Sequence, residues 1–203
     1  MTEAYVVAIE GFAADRPLES LPASIKTAAA RAVNRTADRA RTDAAREIRR
    51  QVNLPASYLQ PSQGRLTVSK RAGKDDLEAV VLGRQRPTSL ARFARGGAEG
   101  RANVTVEVAP GFARFMRRAF LIRLRRGADF DSKQPNLGLA IRLRPGESIQ
   151  NKRQMVRMRN GLYLLYGPSV DQLFRTVRED IAPATQEFLS AEFLRLVDLG
   201  DAQ

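Results

Sequence analysis

Nothing narrows the folding of this chain more than residues 22–52. There Ile25, Ala29, Ala32 or Val33, Thr36, Ala37, Ala40, Ala44, Ile48 and Val52 recur at the spacing of one helical face. About 31 residues at 1.5 Å rise make a helix of roughly 46 Å. The face is mostly alanine, so whatever packs on it comes close. A helix this long in a chain of 203 residues is expected to reach in part towards a neighbour. Its other side carries Arg31, Arg35, Arg39, Arg46 and Arg50, which lie within about 100° of one another. Asp43 and Glu47 stand among them, and a run of this kind is more often a solvated face with weak ion pairs than a functional one. The sharper reading is a basic rail that faces DNA or an acidic subunit.

The rest of the chain reads mainly as strands. Residues 4–9 suit a short strand and 11–17 a turn. Pro55 and Pro61 stop the helix from continuing, and Tyr58 with Leu59 suits a short turn on the core. Residues 66–70 and 77–82 flank a polar turn and predict a hairpin over 65–83. A strand is expected at 103–108, a helical turn at 112–118, and strands at 119–125 and 139–144. In the last two, Phe120, Ile122 and Leu124, and then Leu139, Ile141 and Leu143, alternate with Arg123, Arg125, Arg142 and Arg144. If these strands pair, the sheet has one apolar face and one arginine-rich face suited to phosphate contact, or to plain solvation. Residues 151–160 add Lys152, Arg153, Arg157 and Arg159.

An apolar run beginning at Leu162 meets Gly167-Pro168, which reads as a break. A helix is expected to follow, starting at Pro168 or at Ser169, where Ser169 and Gln172 match a capping box. Val170, Leu173, Phe174, Val177 and Ile181 mark its buried face, and Pro183 a kink or restart. Tyr166, Gly167, Pro168 and Ser169 thus form a candidate structural corner, or part of a subunit interface. The expected fold is α+β: an antiparallel sheet with a long N-terminal helix and C-terminal helices packed on it. One domain over 1–203 is expected, with mobile Gly/Arg-rich loops at about 84–101 and 126–137 and a frayed C-terminus.

Composition excludes several chemistries. Cys, His and Trp are absent, which rules out disulfides, Cys/His zinc sites, a thiol nucleophile and histidine acid–base catalysis. Asp129-Phe130-Asp131 is the one D-x-D. It falls in an expected loop with no further carboxylates close by, so a two-metal nuclease is a distant reading. No G-x-S-x-G is present, and no cofactor is expected. No apolar run reaches the length of a membrane span, and the first residues lack a basic n-region, so a soluble product made without export is expected. The net charge of +12 comes from 34 basic residues, 29 of them Arg, against 22 acidic ones. This favours an anionic partner with bidentate contacts; a GC-rich genome gives the same Arg excess. Any DNA contact is expected at the backbone, without sequence preference.

Two segments together resemble the tailed-phage minor tail protein Z family of tail completion proteins. One is Ala32-Val33-Asn34-Arg35-Thr36-Ala37 followed by the run from Ala40 to Arg50. The other is Leu165-Tyr166-Gly167-Pro168-Ser169-Val170. Leu90-Ala91-Arg92-Phe93 and Ala119-Phe120 are further landmarks in the same order, and residues 126–161 match least. The resemblance implies a non-enzymatic virion protein at the head-proximal end of a long tail. It would complete the tail, help join it to the head and be associated with placing the DNA end. Implied partners are itself, in a homo-oligomeric ring for which tail architecture suggests six-fold symmetry, and neck, tail-terminator or tail-tube proteins. The alternative function is a nonspecific nucleic-acid-binding protein of the cytoplasm.

Overall fold

The alanine stripe folds into α1 (Ala23–Gln51). Ala29, Ala32, Val33, Thr36, Ala37, Ala40, Ala44 and Ile48 are all fully buried, as one face of a 3.6-residue period requires. The computed structural model describes residues 5–8, 20–95, 102–124, 137–144, 146–147 and 154–201. The chain forms two compact units, one of residues 1–48, 56–84 and 171–203, the other of 49–55 and 85–170.

In the first unit, β1 (Tyr5–Ala8), β2 (Leu66–Lys70) and β3 (Glu78–Gly83) form an antiparallel sheet in the order β1-β3-β2. The expected 65–83 hairpin is its β2–β3 pair. Tyr5 is level with Val81 and Val7 with Ala79, and these side chains form the inner face. Both helices pack on this sheet. Asn34 of α1 pins the β2–β3 connection, giving its amide N–H to Ala72 O and accepting from Ala72 N, each at 2.9 Å. The second helix, α2 (Val170–Asp201), sets Phe174 edge-on against Tyr5 at 5.6 Å. It runs unbroken through Pro183, so of the expected kink or restart the restart is absent. Pro183 is exposed, so water can satisfy the carbonyl one turn back that has lost its donor. Two 3₁₀ turns, Ala56–Leu59 and Pro61–Gln63, follow α1, with Tyr58 and Leu59 buried as expected.

The second unit is a seven-stranded antiparallel sheet. Its strands are β4 (Pro87–Ser89), β5 (Ala94–Arg95), β6 (Ala102–Glu107), β7 (Ala113–Arg123), β8 (Leu137–Arg142), β9 (Met155–Arg157) and β10 (Leu162–Ser169). They lie in the order β4-β10-β8-β7-β6-β5, with β9 beside β10. Five strand spacings would part β4 from β5 by about 24 Å in a flat sheet. Only the 3₁₀ turn Leu90–Phe93 joins them, and five peptide units span about 17 Å at most. The sheet is therefore curled, and the turn closes its seam, touching β6, β8 and β10. Phe93 is buried there. A Cβ on Gly167 would sit 3.1 Å from Leu90 and 3.5 Å from Phe93, so glycine gives the seam its close fit.

Three expectations change in this unit. Residues 87–95 were expected within a loop and instead hold two short strands and the seam turn; 96–101 lie outside the described residues. The expected helical turn at 112–118 is mostly the start of β7. The Gly167-Pro168 break is not one: β10 continues through it to Ser169, pairing with β4, with a bulge between Gly167 and Ser169. A residue without N–H is tolerated where the ladder is interrupted. The helix follows directly at Val170, with Asp171 in its first turn, a favourable place for a negative charge.

Candidate interaction surfaces

The arginines of α1 are largely engaged within their own unit. Arg35 Nη1 meets Glu192 Oε1 of α2 at 2.5 Å, and Arg195 clamps the same carboxylate at 2.7 and 2.8 Å. Glu192 is buried, and these hydrogen bonds, first from Arg195 and then from Arg35, hold its pKa down at about 2. Arg39 lies over the Phe188 ring at 4.3 Å and 3.6 Å from Asp43, which also pairs Arg46 at 2.8 Å. As α1 advances from Arg35 to Arg39, its contacts retreat from Glu192 to Phe188, so the helices run antiparallel. Arg31 is exposed beside a groove lined by Ala23, Thr27, Leu196 and Leu199. Arg50 is exposed in the last turn of α1.

Strand register disperses the expected arginine-rich face. Leu121 is level with Leu139 and Leu165, and Phe120 with Ala140 and Leu164. Arg123 shares the first face and Arg142 the second, so they point to opposite sides of the sheet. Arg123 also faces Leu137 at one end of the sheet, whereas Arg142 lies at the other. The buried residues of β7 are Ala119 and Leu121, while Phe120 and Ile122 are half-buried; the expected apolar row of Phe120, Ile122 and Leu124 is corrected accordingly. Arg144 follows β8. Arg125, Lys152, Arg153, Asp129 and Asp131 lie outside the described residues, and within those no group of three or more acidic side chains is placed to hold a metal ion.

The same register gathers a different surface. β7 and β10 both run antiparallel to β8, and Ala119, Ile141 and Tyr163 are level. Residues before 119 on β7, after 141 on β8 and before 163 on β10 therefore share one end of the curled sheet. That end collects Arg114, Arg117, Arg118, Arg142, Arg144, Arg157 and Arg159, with Phe112 79% and Phe115 58% exposed. Arg118 grips Glu147 with two 2.8 Å contacts and donates to Arg142 O at 3.1 Å. Arg118 and the Arg144 N–H hold the Glu147 pKa at about 2.

Two turns fix this end. In Ala109-Pro110-Gly111-Phe112 the Phe112 N–H reaches Ala109 O at 3.1 Å, with Gly111 at φ +80°, a type II pattern. The Glu107 carboxylate, buried beneath, accepts from Gly111 N at 2.9 Å and Asn53 Nδ2 at 3.1 Å, and pairs with Arg95 at 2.9 Å. These contacts, the Gly111 N–H foremost, lower its pKa. Between β9 and β10, Asn160 and Gly161 have φ of +57° and +66°, and Leu162 N–H reaches Arg159 O at 3.3 Å. That is a type I′ turn. Reading the sequence for periodicity passes over Phe112, Arg114, Phe115, Arg117 and Arg118. The signals that mark them are Pro110-Gly111 and Asn160-Gly161, both of which announce hairpins.

The proposed corner is built into β10. Gly167 pairs with Thr88 and Ser169 with Pro87; Gly167 and Ser169 are buried, while Tyr166 and Pro168 are half-buried. A family model described as prophage minor tail protein Z matches residues 12–198. The chain belongs to the prophage minor tail protein Z family. No curated protein and no solved structure matches it. The landmarks of this minor tail protein Z chain now have places: the buried small-residue face of α1 with Asn34, the seam turn at 90–93, and the β10 segment that the turn packs against.

Proposed function

We propose that this phage tail protein acts at the head-proximal end of a long tail, completing it and helping to join it to the head. It does so without catalysis, as a homo-oligomeric ring with six-fold tail symmetry. Its neighbours in this reading are neck, tail-terminator or tail-tube proteins, and exposed arginines can touch the genome's DNA end at the phosphates. The observation that carries the reading is the family match along nearly the whole chain. A basic, aromatic-bearing end on a turn-stiffened sheet supports an assembly role, since interfaces are enriched in aromatic residues and Arg.

Immunogold electron microscopy of purified virions tests the placement. Label at the head–tail junction is the expected result. Absence of the protein from virions, or label at the distal tip, would refute it.

A further inference from the structure

We propose that the Phe112/Phe115 end of the curled sheet in one copy docks on the outer face of α2 in the next, so that copies join head to tail. This deepens the ring in the reading above and rests on it. Phe112 and Phe115 are large apolar side chains held in water on a hairpin stiffened by Glu107 and the Gly111 turn. Arg114 and Arg117 are exposed on the same strand, with Arg114 on the side of the sheet opposite Phe115. Such an end suits a partner offering carboxylates around apolar side chains.

This chain offers that surface itself. On α2, Asp180, Glu187, Leu194 and Asp198 fall within about 40° of one line, roughly 100° round from the Phe188 and Glu192 contacts with α1. All four are exposed, with Leu194 at 62%. An acidic and apolar strip in a chain of net charge +12 is the complement of the arginine-rich end. Two different patches meeting make a heterologous contact, which closes into a ring when the rotation allows. Phosphate contact alone would leave both phenylalanines in water, so the geometry favours protein over DNA.

Light scattering after gel filtration tests this with two full-length variants. One is Arg114→Glu/Arg117→Glu; the other is Asp180→Arg/Glu187→Arg. All four positions are exposed, and unchanged thermal unfolding shows that each variant folds. Wild type is expected to form concentration-dependent oligomers, with each variant alone at least about tenfold weaker in self-association. Mixed, the two variants keep one intact contact between them, and their reversed charges complement each other at the second, so the mixture is expected to regain oligomers that neither variant forms alone. Phe112→Ser/Phe115→Thr is a second variant of the sheet end and is expected to weaken assembly equally. A monomeric wild type, undiminished assembly in the variants, or a mixture that regains no association would overturn the proposal. So would a monomeric wild type whose retention of duplex DNA is lost in the arginine variant, which would assign the end to DNA. Because the assay uses purified chain, it fails independently of where the protein sits in the virion.

Discussion

Replacing Glu192 by Gln removes the charge that ties α1 to α2. The folded carboxyl has a pKa of about 2 against an ordinary value of 4.5. Taken at face value, at 1.36 kcal/mol per unit, that difference corresponds to about 3 kcal/mol. Both guanidinium partners, Arg35 and Arg195, are about half in solvent, and screening reduces the expected contribution to about 1–2 kcal/mol. For a chain of this length that is a fall of roughly 4 °C in midpoint. The sign follows from a depressed pKa. The contribution is complete above about 4.5, where the unfolded carboxyl is also ionised, and fades as pH falls towards 2 and the folded carboxyl takes up its proton. Thermal unfolding of both proteins from pH 7 to pH 2 reads this directly, because the other carboxylates titrate alike in the two chains. The stability gap should be flat from pH 7 to about 5 and close below that. A gap that persists undiminished at pH 2, or that is absent at pH 7, would refute the clamp.

Three further outcomes are expected. Thr36 is fully buried, and its hydroxyl has no hydrogen-bond partner among the described residues, so Thr36→Val should raise stability by about 1 kcal/mol in a urea titration. Gly161 takes φ +66° in the type I′ turn; Gly161→Ala should cost about 1–2 kcal/mol by the same titration. Glu107→Ala removes the acceptor shared by Gly111 and Asn53, so amide exchange at Gly111 should accelerate markedly while exchange in α1 around Ala37 stays unchanged.

The parts of the fold that could be read in advance are those where one face alone is buried. α1 is the plainest case, since its fully buried positions recur on one helical face and most of them are alanine. The β2–β3 hairpin was legible for the same reason, with period two in place of 3.6. β4 and β5 have three and two residues, too few to carry a period, and their existence depends on partners distant in sequence. The start of β7 is exposed on both sides and shows no alternation, which is why it resembled a turn. β8 is buried on both faces at Gly138, Leu139 and Ala140, so alternation with its arginines misassigned the sides. Proline misled at 168, where a bulge absorbs the missing donor, and at 183 the helix does not restart because an exposed turn absorbs it. The arginines of the candidate surface were visible as residues, but their grouping at one end of a sheet is a property of register.

Both units are assembled from pieces that the ribosome delivers far apart in time. The first unit needs residues 171–203 to cover a sheet begun at Tyr5, and the second holds β4 in place with β10, some eighty positions later. No N-terminal fragment is therefore a finished module, and folding must wait on contacts of long loop closure, which are slow to form. A chain cut short within β10 would leave the edge of β8 unpaired, and one cut short early in α2 would lose the Glu192 clamp on Arg35, so either is a substrate for proteolysis. Both units therefore depend on the last quarter of the chain, and neither has a hydrophobic core that an earlier stretch could close by itself.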